Sequence, residues 1–253
     1  MKIAVVGYGR MGQEIARAAR ERDHTVTVRV DPAAESADFP TVASAVAAGA
    51  LDSSTTVIEF ALPEGLGENM AAYIQAGCSV VIGTTGWDAQ REEILAPARS
   101  AGIGVVWGSN FSVGANMFAR ITEYAATLAA RADGYDPALV ELHHRGKQDS
   151  PSGTALMLAE KVLHAERAKT SIQTETLHRR IQPEELHVAS ARIGSIPGTH
   201  TAYFDSFADT VELTHRARNR HGFAVGAVKA AEWIVTTGGV HSVGSFFDHL
   251  FAG

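Results

Sequence analysis

Lys2-Ile3-Ala4-Val5-Val6-Gly7-Tyr8-Gly9-Arg10-Met11-Gly12 is the stretch on which the fold turns. A short apolar run, Lys2–Val6, enters three glycines spaced Gly-x-Gly-x-x-Gly, and Met11–Arg22 behind them has the pattern of a helix. In a strand–turn–helix that holds a dinucleotide the glycines meet separate demands. The first makes the tight turn, the second lets a pyrophosphate approach the backbone, and the third lets helix and strand close up. The helix start adds unpaired N–H groups and a partial positive charge for the phosphates. Thr25–Val30 reads as the second strand. Asp31 at its end lies about 20 residues beyond the glycines, where an acid binds ribose hydroxyls. The competing account is a glycine-rich turn in an α/β domain that binds nothing.

Further strand-like runs follow at Thr55–Phe60, Ser79–Ile82 and Gly104–Trp107, with helical stretches at Glu64–Ala76 and Asp88–Ser100 between them. The runs are apolar almost throughout, as parallel strands covered on both faces require. Turn residues stand at Asp31-Pro32, Leu62-Pro63 and Gly83-Thr84-Thr85-Gly86. To about Gly108 the chain is therefore a series of βαβ units on a parallel sheet. After Asn116 the texture changes. A helix over Met117–Ala132 leads to a strand at Ala138–His143, and a second helix opens at Ser152-Gly153-Thr154. Glu166 to Glu185 is polar and unpatterned, an expected exposed loop. His187–Ile193, Thr199–Phe207 and Thr210–Arg216 read as an antiparallel meander. The last clear element is a helix over Val225–Thr236, stopped by Gly238-Gly239.

A chain of 253 residues, 45% hydrophobic and 20% charged, suits one large α/β domain or a cofactor domain with a smaller partner. Its net charge of −6 argues against a nucleic-acid partner. No stretch approaches the ~20 apolar residues of a membrane helix. The N-terminus runs straight into the glycine turn and does not read as a signal peptide. Cys78 is alone, which excludes an intrachain disulfide and a thiolate metal cluster. A cytoplasmic, reducing setting is expected.

The densest chemistry lies in Glu141-Leu142-His143-His144-Arg145-Gly146-Lys147-Gln148-Asp149-Ser150-Pro151-Ser152-Gly153-Thr154-Ala155. A strand delivers this segment and a helix follows it. Two histidines, an arginine and a lysine make a local cationic patch on an acidic protein. Ser152-Gly153-Thr154 offers N–H groups and hydroxyls that hold an anion. Together these suit a small molecule with more than one carboxylate; a solvated basic loop without function is the alternative. No HxxxH, HExxH or Cys spacing accompanies the histidines, so no metal is expected. Asp31 accepts from a ribose diol and repels a 2′-phosphate, and Pro32 follows it rather than a clamping arginine. This points to NADH ahead of NADPH, with Arg10 as a substitute clamp.

The segment resembles the signature of the dihydrodipicolinate reductases (4-hydroxy-tetrahydrodipicolinate reductases): Glu, one residue, His-His, two residues, Lys, one residue, Asp, one residue, Pro-Ser-Gly-Thr-Ala. Glu141, His143, His144, Lys147, Asp149, Pro151, Ser152, Gly153, Thr154 and Ala155 match every fixed position. Gly9-Arg10-Met11-Gly12 is similar to the family's nucleotide turn and Gly83-Thr84-Thr85-Gly86 to its nicotinamide loop. Ser109-Asn110-Phe111-Ser112-Val113-Gly114 is similar to its hinge. Arg192-Ile193-Gly194 and Gly198-Thr199-His200 resemble later strands of its substrate domain, and His215 to Arg220 with Phe223 its second hinge. Glu59-Phe60-Ala61 departs from the usual Asp-Phe-Thr or Asp-Phe-Ser, and Ser150 from the usual alanine.

The resemblance implies an α/β fold. A Rossmann-like parallel-sheet nucleotide domain (1–112 and 222–253) would carry a smaller α+β substrate and tetramerisation domain with a mixed sheet (113–221). It implies NADH or NADPH as cofactor, a cyclic imine or enamine dicarboxylate as substrate, and a homotetramer. His143 and Lys147 become the acid candidates, with His144, Lys147, Ser152, Gly153 and Thr154 as substrate holders. Gly7, Tyr8, Gly9, Arg10, Met11, Gly12, Asp31, Gly83, Thr84, Thr85, Ser109, Asn110 and Phe111 become cofactor contacts. Histidine titrates near neutrality, and a lysine beside other cations is pushed toward it. Two alternatives stay open: a related two-domain NAD(P)-dependent reductase of another amino acid or semialdehyde, and a nucleotide-binding homologue without turnover.

Overall fold

In β1 (Lys2–Val6) every residue after Lys2 is buried, and Gly7 leaves the strand at φ +83°, a backbone angle that favours glycine. This computed structural model describes residues 1–132 and 134–252. α1 (Arg10–Glu21) packs close behind the turn: a Cβ on Gly12 would sit 2.2 Å from the Gly7 carbonyl oxygen. β2 (Thr25–Val30), α2 (Val42–Ala47), β3 (Thr55–Glu59), α3 (Leu66–Ala76), β4 (Ser79–Ile82), α4 (Arg91–Ala101) and β5 (Val105–Trp107) continue the alternation. Single 3-10 turns at Pro63–Gly65 and Asp88–Gln90 precede α3 and α4. The chain goes on through α5 (Val113–Ala132), β6 (Asp136–His143), α6 (Gly153–Ala165), β7 (Ser171–Gln173), β8 (Glu185–Arg192), β9 (Thr199–Asp205) and β10 (Thr210–Arg216). It ends with α7 (His221–Thr237), β11 (Val240–Ser242) and α8 (Val243–Phe251).

Two compact units result: Met1–Val113 with Arg220–Gly253, and Gly114–Asn219. The first is a parallel sheet in the order β11-β5-β4-β3-β1-β2 with helices on both faces, a Rossmann-like α/β architecture. One face carries Val57, Leu66, Met70, Tyr73 and Val80; the other packs Ile3, Ile15, Ile58 and Val81 against Ala227, Ile234 and Phe246. The second unit is a mixed sheet in the order β10-β9-β6-β8-β7. Its core joins Phe118 and Ala126 of α5 and Leu158 and Val162 of α6 to Leu139, Val188 and Phe204 of the sheet.

Several expectations need correcting. The three late strands do not form a meander. β6 lies between β8 and β9, pairing parallel with β8 and antiparallel with β9, so only β9–β10 is a hairpin. Turn residues at Gly194 and Gly198 mark a chain reversal but not which edge the chain returns to. The polar stretch after Glu166 is not wholly loop. β7 pairs with β8, and the buried Lys169 ammonium donates to the Pro183 and Glu185 carbonyls and pairs with Asp136. The chain also continues past α7 into β11 and α8, and it includes α2, a helix the sequence reading did not contain, which starts from a reciprocal Thr41–Ser44 cap.

Candidate active site

In the first unit a cleft of about 870 Å³ opens at the carboxyl end of the sheet. It is lined by Gly7, Gly9, Arg10, Met11 and Asp31, by Glu64, Glu68 and Asn69, which sequence reasoning gave no role, and by Arg220, which it placed only in a hinge. A nucleotide fits these residues. Gly9 caps α1 without a side-chain partner, no acid occupies the first turn, and a Cβ on Gly9 would meet nothing within 4 Å. The N–H groups of the turn thus face open space of the kind a phosphate fits.

Asp31 is held by its own loop. Oδ2 accepts from the Tyr8 N–H at 2.8 Å, and Oδ1 from Ala33 and Ala34 at 2.8 and 3.0 Å. The carboxylate braces the turn and keeps spare acceptor capacity on Oδ2 for a hydroxyl. Tyr8 is buried, with the Arg29 guanidinium 5.7 Å over its ring, and Asp38 holds that guanidinium through paired bonds of 2.7 and 2.9 Å. Gly83, Thr84 and Thr85 follow β4, and Ser109, Asn110 and Phe111 follow β5; none of the six lines the cleft. The Thr84 hydroxyl donates to the Ala61 carbonyl, and the Phe111 ring is core, edge-on to Phe60. These two side chains are therefore committed to packing and turn structure.

In the second unit the signature residues gather around Glu141. β6 alternates, so Glu141 and His143 face the same buried side. The His143 Nδ1–H donates to the Glu141 carboxylate, Arg192 pairs with it at 2.9 Å, and the Ser152 N–H reaches it at 3.3 Å. Glu141 is acceptor-only, so the bond puts the imidazole proton on Nδ1 and leaves Nε2 as an acceptor. Burial drives the Glu141 pKa upward, yet Ser190, Arg192 and His143 outweigh it and hold the group below its ordinary value. Burial lowers the pKa of His143; Glu141 opposes this, and Lys147 and Arg192 add to it. His200 stands edge-on to His143 at 5.2 Å and is pushed down to about 4, first by burial and then by His143.

Lys147 lies in the loop after β6, ion-paired with Asp149 at 2.7 Å. Lys147 and the backbone of Gly153 both help keep the Asp149 carboxyl below its usual range. A carboxylate from the chain itself thus already meets the cationic loop and the helix start. Ser152 is turned inward: its hydroxyl caps Ala155 N–H and contacts His200 Nε2, both at 3.2 Å, while Gly153 is exposed and Thr154 half-buried. His144 is half-buried just beyond the strand. Sequence reasoning left Glu141 without a role and named Arg192 and His200 only within later strands of the substrate domain, with no role at the site. The register supplies them, because β6 pairs His143 with Arg192 of β8 and Glu141 with His200 of β9.

Glu141, His143 and His200 also bring ligand-capable atoms within 4.8 Å of one another, a grouping invisible to sequence spacing. Their partners are each other, Ser152 and Arg192, with Lys147 close by, and that cationic surrounding disfavours an added cation.

Residues 1–111 match the family model described as dihydrodipicolinate reductase, N-terminus, and residues 114–247 that described as dihydrodipicolinate reductase, C-terminus. A 4-hydroxy-tetrahydrodipicolinate reductase of Christiangramia forsetii is 34% identical over 254 aligned residues, covering 99% of each chain. One from Archaeoglobus fulgidus is 38% identical over 76% of this chain and 75% of its own. Among solved structures, a dipicolinate-bound dihydrodipicolinate reductase from Paenisporosarcina sp. TG-14 superposes with a TM-score of 0.77 at 20% identity, covering 97% of this chain and 98% of that one. At that identity the likeness speaks to the fold. These matches do not favour a reductase of another substrate class or a homologue without turnover. The chain belongs to the dihydrodipicolinate reductase family.

Proposed function

We propose that the protein reduces 4-hydroxy-tetrahydrodipicolinate to tetrahydrodipicolinate on the route to diaminopimelate and lysine, using NADH or NADPH, with NADH ahead. The observation that carries this is the buried Glu141–His143 pair beside Lys147 and the start of α6, in a chain of this family. When bound, the nicotinamide supplies the hydride. The glycine turn and the N-terminus of α1 hold its pyrophosphate and Asp31 its ribose, with Gly83, Thr85, Ser109 and Asn110 toward the nicotinamide and Thr84 and Phe111 shaping those loops from within.

The protein's own task is to neutralise a dicarboxylate and supply a proton. The Lys147 ammonium, His144 and the N–H groups at Gly153 and Thr154 hold the carboxylates, and the position of Asp149 supports an anion there. His143 is neutral at rest because its pKa is depressed, so the proton goes from Lys147, and His143 Nε2 accepts a hydrogen bond from the substrate. Arriving carboxylates replace the Lys147–Asp149 pairing. A cytoplasmic homotetramer belongs to the same reading. Apolar side chains left exposed in the second unit, Met117, Ile121, Tyr124 and Leu128 on α5 with Val211 on β10, support assembly, which light scattering would test.

The test of function is a coupled assay in which the protein consumes NADH only once a dihydrodipicolinate synthase makes the substrate. Lys147→Ala and His143→Ala should each lose roughly 10²-fold or more in kcat. No substrate-dependent oxidation by the wild-type protein would refute the function. Near-wild-type kcat in both variants would refute the residue roles alone.

A further inference from the structure

Glu59 ends β3 with no exposed surface, and neither the proton step nor the dicarboxylate site uses it. Two neutral donors meet its carboxylate: Asn69 Nδ2 on Oε1 at 2.7 Å and the Tyr73 hydroxyl on Oε2 at 2.9 Å. Both come from α3, four residues apart on one face. Burial pushes the carboxyl up to about 7, and the two donors draw it back only in part. The surrounding core of Val57, Leu66 and Met70 would take an apolar residue more cheaply, so packing alone does not account for an acid here.

Asn69 connects this acid to the cleft it lines. Its Oδ1 takes no hydrogen bond among the described residues and is not sealed from solvent. An ionised carboxylate only accepts, so the amide nitrogen must face Glu59 and the oxygen must turn away. We propose that Glu59 is a positioning residue for the cofactor: by holding the Asn69 nitrogen, it presents Asn69 Oδ1 to the cleft as an acceptor for a hydroxyl, amine or amide hydrogen of the dinucleotide. Asp31, Glu64 and Glu68 line the same cleft, and an acceptor among acids suits a donor-bearing ribose or base rather than a phosphate. This rests on the nucleotide reading of the cleft.

The test is calorimetric titration at pH 8, where Glu59 is ionised, of NADH and of ADP-ribose onto wild type, Glu59→Gln, Asn69→Ala and the double variant. Glutamine has the shape of Glu59 but offers a donor as well, so the Asn69 amide loses its fixed orientation. Each single variant should bind NADH about three- to tenfold more weakly, the usual worth of one hydrogen bond. The double variant should bind no more weakly than Asn69→Ala, since Glu59 acts through Asn69. A loss shared by ADP-ribose assigns the donor to the adenosine half or its neighbouring ribose; a loss confined to NADH assigns it to the nicotinamide. Wild-type affinity in Glu59→Gln, or losses that add in the double variant, would overturn the proposal. A purely structural acid would alter thermal stability without that coupling. Should Glu59→Gln not fold, Asn69→Ala carries the test, and unchanged NADH affinity there overturns it equally. Wild-type protein that binds no NADH would overturn the cofactor reading itself, and this proposal with it.

Discussion

Replacing Glu59 by glutamine should flatten the dependence of stability on pH. An unfolded glutamate ionises near its ordinary 4.5, whereas Glu59 in the fold ionises at about 7 because burial disfavours the anion. Between those values the unfolded chain gives up a proton that the folded chain keeps. The raised pKa therefore contributes stability that is fully present below 4.5 and is lost as pH rises through about 7. At roughly 1.4 kcal/mol per pKa unit the whole window amounts to about 3 kcal/mol, of which about 2 kcal/mol falls between pH 5 and pH 8. Glutamine carries no such proton, and its less apt pairing with Asn69 and Tyr73 adds an offset independent of pH. The gap in melting temperature between variant and wild type should shift in favour of the variant by about 4–8 °C over that range. Thermal melts of both proteins at pH 5, 6.5 and 8 measure it, and comparing the two at each pH cancels every other titrating group. A gap that stays constant from pH 5 to pH 8 would refute the reasoning, because Glu59 would then ionise alike in both states.

Three further outcomes follow from the site. Glu141→Gln removes the charge that fixes the His143 tautomer and pairs with Arg192; kcat should fall about 10- to 100-fold with cofactor affinity unchanged, measured by steady-state kinetics and NADH titration. Because burial depresses the pKa of His143 below its ordinary 6.5, the neutral form prevails at pH 6.5 and above, so kcat/KM should hold from pH 7.5 down to 6.5 and decline only as the imidazole protonates. A decline on raising the pH through 6.5 would mean that the charged form is the working one. Asp31→Ser should weaken NADH about tenfold and improve NADPH relative to it, by loss of a charged acceptor and of repulsion; calorimetry with both cofactors decides it.

The parallel core was legible because strands buried on both faces, such as β1 and β4, read as nearly continuous apolar runs, and Gly7-Tyr8-Gly9-Arg10-Met11-Gly12 announced the first turn. What escaped was short or non-local. α2, β7 and β11 have three to six residues, too few for periodicity to show. The insertion of β6 between β8 and β9 depends on pairings across 49 to 69 residues, which no local pattern encodes. The site divides in the same way. His143 and Lys147 stood out within one loop, whereas Arg192 and His200 reach Glu141 and His143 only through that sheet register. Ser152 looked like an anion holder because it opens a helix; its hydroxyl instead caps Ala155 and meets His200.

The discontinuity of the first unit has a consequence for how the chain is made. Residues 114–219 form an uninterrupted unit whose core closes with β10, and every one of its elements is synthesised before α7 exists. The six-stranded sheet is in a different position. Ile58, Val81 and Val106 emerge early, but the residues that cover them, Ala227, Val228, Ile234 and Phe246, come last, whereas α1 is made in time to cover β1. During translation the first unit thus waits with the β3–β5 part of one apolar face bare while the inserted half is made, and that interval is when a nascent chain of this topology is most exposed to aggregation and most in need of a chaperone.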